Sequence, residues 1–491
     1  MKPNIVLIVA DQFRGDSLAC DGNQEIKTPH YDALAARGMR FSNAFTPCPI
    51  CVPARATMIT GRYPHNCTGT KNNCGRIPPE IPKLPELLAQ NGYRTYASGK
   101  LHYLPYKGPG EERTLHGFQE AKLAESGRII SQHDKSGKTP GLEDYFDYLE
   151  TVGWGGYTRA HGIGNNDIHP AASPLPGEHT VDGWVATEAI NFLDQHQQNS
   201  PDQPFFLKAS FPKPHAPFDP PRPYDSMYSP RDLKEPHKSQ DERPRTPGKQ
   251  IEQKKHGWDY LSPQAQQVIK SHYYGLISFQ DQQVGRLIEH LEKIGALNNT
   301  YIIFVGDHGE QLGDFGYYFK SCMYEGSIRV PFLVSGPGIQ PQVSNELVGL
   351  EDLTPTIADL VSIPIPAAVD GKSLKELLHG SHETVRDAYY AYCLESPQQT
   401  YMVRTKSHKY IYNELGGTEE LYQLETDPNE LSNRIHDPAL QDSYQQLRSA
   451  LINWAQTHDD PVRLPNGELA QSPIPPEAVA FDANVMGWRH Y

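Results

Sequence analysis

Several short stretches of the chain carry residue types that can do chemistry together. The first is Cys48-Pro49-Ile50-Cys51-Val52-Pro53-Ala54-Arg55-Ala56-Thr57-Met58-Ile59-Thr60-Gly61. It reads as a helix with Pro53 at the first helical position and Gly61 as its C-terminal stop. Cys51 then stands just ahead of the first turn, where unpaired N–H groups and the helix dipole favour anions and acidify a thiol. A lone cysteine is also commonly a buried structural thiol, and spacing alone leaves both readings open. The other stretches are Asp11-Gln12, Lys100-Leu101-His102, His215 and Asp307-His308, with Lys320 beyond. Asp11 and Asp307 offer hard oxygen ligands for a divalent cation. His308 adds a nitrogen, which Ca²⁺ accepts less readily than Mn²⁺ or Zn²⁺. Lys100, Lys320 and Arg55 would make a cationic pocket matched to a tetrahedral oxyanion. His102 and His215 can exchange protons near neutral pH.

The elements that must position these groups are legible from apolar runs. Asn4 to Ala10 and Tyr301 to Gly306 are continuous apolar segments, as expected of parallel strands buried on both faces, and Asp11 and Asp307 follow their ends. Tyr93 to Ala97 and Phe205 to Phe211 are two more such strands, leading to Lys100/His102 and to His215. Val330 to Val334 is a further strand. Polar groups at the carboxyl ends of neighbouring parallel strands converge at one edge of the sheet, where open α/β folds bind ligands. Helices are expected from Thr28 to Arg37, Ile81 to Asn91, from about Asp182, and from about Ser262 to Ile294, the last with Val284, Leu287, Ile288 and Leu291 as its apolar stripe. Residues 104–180 read as long loops and 219–256 as a solvated, Pro-rich excursion. From residue 386 the texture changes to short strands, Asp387–Leu394, Tyr401–Thr405, Lys409–Tyr412 and Leu421–Leu424, and then a helix near 438–457. Residues 1–385 are therefore expected to form the catalytic domain. Residues 386–491 are expected to form an α+β subdomain with an antiparallel sheet and an extended tail from Pro461.

Cys51-x-Pro53-x-Arg55 followed by Thr60-Gly61 resembles the signature of type I sulfatases. Gly92-Tyr93-Arg94-Thr95 through Gly99-Lys100-Leu101-His102 is similar to the second signature of that family. Pro214-His215-Ala216-Pro217 and Gly306-Asp307-His308-Gly309 resemble further landmarks in the expected order. The resemblance implies an alkaline-phosphatase-like α/β fold and hydrolysis of a sulfate ester, with a sulfated carbohydrate or small molecule as substrate. It implies that a maturation enzyme oxidises Cys51 to formylglycine, whose hydrated aldehyde is the nucleophile. Asp11, Gln12, Asp307, His308 and an oxygen derived from Cys51 would hold the metal, with Ca²⁺ favoured over Mn²⁺ or Zn²⁺. Arg55 would steady the hydrate, Lys100 and Lys320 would hold the sulfate, and His102 would orient the gem-diol. His215 would serve the leaving group as general acid, and Asn72 would lie on the substrate side. A plain cysteine could not complete such a cycle, because its sulfur adduct has no second hydroxyl to expel sulfate.

One departure stands out. Many sulfatases have two adjacent aspartates after the first strand, whereas this chain has Asp11-Gln12. Asp-Gln occurs in some sulfatases and also in the related phosphonate monoester hydrolases, which makes phosphonate or phosphate ester hydrolysis the alternative. Those enzymes lack the Lys-x-His pair present here as Lys100 and His102, which favours sulfate. A glycan-binding homologue without activity is a further alternative, opposed by the intact Cys51 and its partners. Trp154, Tyr157, Trp184 and Tyr224 are candidate rings for stacking on a sugar.

The bulk properties bound the rest. The 491 residues hold 45 Lys+Arg against 59 Asp+Glu, a net charge of −14, which argues against nucleic acid or an anionic membrane as partner. An anionic substrate must be captured by a local cationic pocket. No apolar run approaches the ~20 residues that span a bilayer. The seven cysteines show no zinc-like spacing, and Cys67 and Cys74 are compatible with either a bridge or reduced thiols. Met1-Lys2-Pro3 runs straight into the first strand with no secretory signal in view, from which a cytoplasmic location is expected, a periplasmic or secreted one being the alternative if a signal peptide has been removed.

Overall fold

The computed structural model describes residues 2–67, 76–103, 113–125, 141, 143–241, 246–366, 368–394, 399–458 and 462–474. Asn72, Cys74 and the C-terminal Gly487-Trp488-Arg489-His490-Tyr491 lie outside them.

The architecture is a mixed α/β sheet sandwiched between helices, with a smaller antiparallel sheet behind it. Eight strands form the large sheet: β1 (Asn4–Asp11), β2 (Gly38–Phe45), β3 (Arg94–Gly99), β4 (Glu120–Leu123), β5 (Phe205–Pro214), β6 (Thr300–Gly306), β7 (Phe332–Ser335) and β8 (Gln342–Gly349). Their order is β4-β3-β5-β1-β6-β7-β2-β8. All neighbours run parallel except β7, which is antiparallel to both β6 and β2. The apolar run of β1 is explained by its central place. Ile5, Leu7 and Val9 enter the core on one face of the sheet, and Val6, Ile8 and Ala10 enter the core on the other.

The helix Pro263–Lys293 covers one of these cores, capped at its start by Ser262, whose side chain accepts from Ala265 N. Val284, Leu287 and Leu291 of the expected stripe are buried, and Ile288 is half-buried. The helices Pro29–Ala36 and Val181–Asn199 pack alongside it.

Several expectations need correction. Residues 104–180 are not loop throughout, since β4 and the helix Asp144–Thr151 lie within them. The excursion 219–256 is not simply solvated: it ends in the helix Pro247–His256, where Lys249 is wholly buried, bonded to Glu252 and to the Tyr318 carbonyl. The strand β2 was not anticipated at all. Helix Cys51–Thr60 starts at the cysteine itself, so Pro53 is its third residue and not its first. The proline is tolerated there because N–H groups of the first turn have no intrahelical acceptor. Gly61 does end this helix, in the left-handed conformation at φ 69°.

The second sheet is an antiparallel meander of β9 (Tyr389–Cys393), β10 (Thr400–Arg404), β11 (His408–Asn413) and β12 (Thr418–Gln423). One face packs Ala391, Met402 and Ile411 against Phe45, Ile50 and Tyr324 of the main body. The other face receives the helix Gln441–Thr457 through Leu447, Leu451 and Trp454. Tail residues 462–474 return to this sheet, where Ser472 N donates to the Glu414 carbonyl.

Candidate active site

Four adjacent strands end at one edge of the large sheet, and their ends deliver the site. β3, β5, β1 and β6 are successive neighbours, so Lys100, His215, Asp11 and Asp307-His308 meet there. Helix Cys51–Thr60 is buried along its whole length and aims its first residue at the same point.

Cys51 Sγ lies 3.1 Å from His308 Nε2 and 3.7 Å from Asp11 Oδ1. His308 Nε2 is 3.6 Å from both Asp11 Oδ1 and Asp307 Oδ1. Ligand atoms of Asp11, Cys51, Asp307 and His308 all lie within 4.8 Å of one another, and all four residues are buried. His308 Nδ1 is 3.0 Å from the Gly309 carbonyl oxygen, to which it donates. That bond fixes the tautomer and leaves the Nε2 lone pair facing the carboxylates, the arrangement a metal-binding imidazole takes. Two carboxylates, one imidazole and one sulfur in a buried cluster are a donor set that fits a divalent cation.

Cations surround this group. Lys100 Nζ pairs with Asp11 Oδ2. Arg55 Nε donates to Asp307 Oδ2 at 2.7 Å, and its Nη1 donates to the Lys100 carbonyl and to Ser210 Oγ, both at 2.9 Å. Lys320 Nζ donates to Gln12 Oε1 at 2.7 Å and to His215 Nε2 at 3.1 Å. His215 Nδ1 in turn donates to the Ala216 carbonyl at 2.8 Å. Burial and the Asp11 carboxylate push the Cys51 thiol up, but Lys320, Lys100 and His308 outweigh them and bring it down to about 6. Burial likewise opposes ionisation of Asp11, yet Lys100, His215 and Arg55 hold it well below the usual carboxylate range.

Gln12 sits at φ 66°, where the chain turns sharply off β1. While its oxygen accepts from Lys320, its Nε2 donates to Glu310 Oε2 at 2.5 Å. An aspartate could not make that second bond, so the neutral amide ties Lys320 to Glu310. Glu310 and Ser210 were not singled out from the sequence. Glu310 follows His308 by two residues, a signal that adjacency to the Asp-His pair carries, whereas Ser210 lies mid-strand with no signal at all.

A cavity of about 190 Å³ opens beside Asp11 and His215. Its walls include the rings of Tyr145, Phe146 and Phe279. The rings anticipated from sequence fall elsewhere. Trp184 is core at 2% exposure, packed against Tyr145, and Tyr224 packs edge-on against Phe279. Trp154 and Tyr157 pack on each other.

The fold and the site together define a hydrolase of tetrahedral oxyanion esters, built on a largely parallel sheet with a buried cluster of metal-ligand type. Its chain belongs to the sulfatase family, whose description matches residues 3–363, and it is a sulfuric ester hydrolase. A second family description, N-sulphoglucosamine sulphohydrolase C-terminal, matches residues 313–457. The chain is 35% identical to an arylsulfatase of Clostridium perfringens over 94% of its own length and 96% of that protein. It is 30% identical to a choline-sulfatase of Rhizobium meliloti over 89% of its length and 83% of that chain. Among solved structures, the phosphonate monoester hydrolase of Agrobacterium radiobacter superposes with a TM-score of 0.77 at 24% identity, covering 96% of this chain and 100% of the other. That likeness speaks for the fold.

Proposed function

We propose that this sulfatase removes sulfate from a sulfated carbohydrate, with Cys51 matured to formylglycine and a divalent metal, Ca²⁺ in preference to Mn²⁺ or Zn²⁺, held by Asp11, Asp307 and His308. The observation that carries the reading is the convergence of Lys100, Lys320, Arg55 and His215 on the Cys51–Asp11–His308 cluster in an otherwise acidic protein. In the matured protein the Cys51 sulfur described above stands where a formylglycine oxygen would be. Metal and formylglycine together supply a polarised ester and an aldehyde-hydrate nucleophile.

The remaining work falls to this chain's own side chains. Lys100 and Lys320 neutralise sulfate oxygens on the two sides of the cluster. Arg55 is too deeply fixed by Asp307, Ser210 and the Lys100 carbonyl to move with substrate, so it holds the helix start rigid. His102 orients the nucleophile. Lys320 donates to His215 Nε2, and the pair shares a proton that can be delivered to the departing alcohol.

The cavity suits a neutral polyol. Aromatic faces of Tyr145, Phe146 and Phe279 suit sugar rings, and Arg159 and Lys213 stand in the same walls. Its three carboxylates are already engaged, Asp11 by Lys100. Asp219 pairs with Lys213 and accepts from His161, while Asp182 accepts from Gln280 Nε2 at 3.0 Å. The same pairs engage the cations, since Lys213 is bonded to Asp219 and Arg159 Nη1 stands 3.8 Å from that carboxylate, so the walls offer a sugar polar groups in matched charge pairs. Support for the sugar reading also comes from the sulphoglucosamine-type match over residues 313–457.

The test is release of free sulfate from a panel of sulfated mono- and oligosaccharides, choline sulfate, an aryl sulfate and an aryl phosphonate. A sugar sulfate should give the highest kcat/KM. Preference for choline sulfate would overturn the substrate class, and preference for the phosphonate would overturn the reaction assignment.

A further inference from the structure

We propose that Glu125 is a positioning residue for sulfate-ester hydrolysis, its buried carboxylate holding the backbone of His102 in the left-handed conformation the site requires. The inference rests on the reading above that His102 serves the reaction.

β3 leaves the sheet at Gly99, whose φ is 92°. A Cβ at that position would stand 2.0 Å from the Ser210 carbonyl oxygen, so the turn demands glycine. Lys100 N donates to that same oxygen at 2.9 Å, and Arg55 Nη1 donates to the Lys100 carbonyl at 2.9 Å. These bonds anchor the turn as far as Lys100, whose ammonium pairs with Asp11. His102, two residues on, adopts φ 56°, a region that residues with a Cβ enter at a cost unless the surroundings impose it.

The imposing group is Glu125, just beyond β4. Its Oε1 accepts from Leu101 N at 2.8 Å and from His102 N at 3.0 Å. Successive N–H groups gathered on one anionic oxygen are a backbone nest, which selects this kind of positive-φ conformation. Glu125 is fully buried, and its Oε2 has no hydrogen-bond partner among the described residues. Here one oxygen carries both bonds, and both go to the active-site turn. Ala124 N donates to the Gly99 carbonyl at 3.1 Å, so the chain bearing Glu125 is itself pinned to the turn it supports.

Without the carboxylate, His102 relaxes toward negative φ and its ring leaves its place. Deleting the acceptor and preserving it separate this role from simple packing. Glu125→Ala in the matured enzyme should lose about 100-fold in kcat/KM on an aryl sulfate, the scale on which a displaced catalytic group costs rate. Glu125→Gln keeps the acceptor oxygen and should recover to within about fivefold of the parent, the residue reflecting loss of a charge-assisted bond. The deciding measurement is a cycle with His102→Ala. If Glu125 acts through His102, the double variant is no slower than His102→Ala alone. Multiplying losses would overturn the inference, as would an Ala variant as fast as the parent. A fully active His102→Ala would overturn the role given to His102 itself, whereas an impaired His102→Ala beside a fully active Glu125→Ala would overturn only this proposal. Should Glu125→Ala fail to fold, Glu125→Asp, which withdraws the oxygen by one methylene, enters the same cycle and the same outcomes decide.

Discussion

Arg55 and Asp307 form a wholly buried ion pair, with Nε 2.7 Å from Oδ2 and neither side chain exposed to solvent. Arg55 Nη1 donates to Ser210 Oγ and the Lys100 carbonyl, while its buried Nη2 has no hydrogen-bond partner among the described residues. One residue of the Cys51 helix is thereby locked to the ends of β3 and β6 and to the middle of β5. Deleting one member of such a pair strands the other charge in the interior, which costs about 3–5 kcal/mol. Arg55→Ala should therefore lower the unfolding free energy by that order, read as a fall in the denaturant midpoint at unchanged m. Arg55→Lys should recover only part of it, since an ammonium cannot span three acceptors fixed around a planar fork. Equal midpoints for the two variants would mean that charge alone, without geometry, holds this junction.

Cys51 tests the chemistry with little disturbance of the fold. It is small, wholly buried and bonded only through its sulfur among the contacts described. Cys51→Ala and Cys51→Ser should cut kcat by at least about 10³-fold, as loss of a nucleophile does, while thermal unfolding shifts by little. Mass spectrometry of the Cys51 peptide provides the complementary check. Active preparations should carry the aldehyde in place of the thiol, and activity should scale with the converted fraction. Substantial turnover by Cys51→Ala would refute the assignment of the nucleophile.

A cation bound by Asp11, Asp307 and His308 should stabilise the fold as well as serve the reaction. A ligand at one hundred times its Kd adds about 2.7 kcal/mol when it binds only the native state. Chelation should lower both the thermal midpoint and sulfate release, and Ca²⁺ should restore both. Asp307→Asn should abolish the Ca²⁺-dependent rise in midpoint. A midpoint indifferent to chelator and to Ca²⁺, Mn²⁺ and Zn²⁺ would count against a metal at this cluster.

Much of this arrangement was legible in the sequence because the physics there is local. β1 and β6 announce themselves as unbroken apolar runs, since both faces of a central parallel strand are covered, and a polar pair at the end of each is then placed by topology. The C-terminal strands were legible for a related reason, being short segments rich in tyrosine and aliphatic residues between turns. What failed to show depends on distant partners. β2 reads Gly-Met-Arg-Phe-Ser-Asn-Ala-Phe, with Met39 and Phe41 buried but Arg40, Ser42 and Asn43 only half-buried, and its partners β7 and β8 arrive from the far end of the domain. The apolar run of β7 gave its existence but carries no sign of direction, and it runs antiparallel. Lys249 read as a solvated charge because nothing local reveals Glu252, the Tyr318 carbonyl and the Trp258 ring around it. Ser210 and Glu125 are similar: Ser210 accepts from Arg55 on the Cys51 helix and Glu125 from the turn after β3, and a single sequence does not contain either pairing.

Asp281 gives the protein a pH-dependent stability that lies away from the site. It projects from the long helix Pro263–Lys293 and accepts the backbone N–H groups of Tyr31 at 2.8 Å and His30 at 3.1 Å, at the start of helix Pro29–Ala36. Burial raises its carboxyl to about 7, more than those two backbone bonds lower it. The unfolded chain has an ordinary aspartate near 3.9, so between roughly pH 4 and 7 the native state binds the proton more tightly. The group's contribution is fully present below the unfolded value and is lost as pH rises through the folded one. The amount at stake is on the order of 4 kcal/mol. Asp281→Asn keeps an acceptor oxygen for Tyr31 and His30 but has nothing to ionise. Its thermal midpoint should match the parent at about pH 4.5 and exceed it at about pH 8. A midpoint difference that stays constant across that range would show that Asp281 titrates normally in the folded protein.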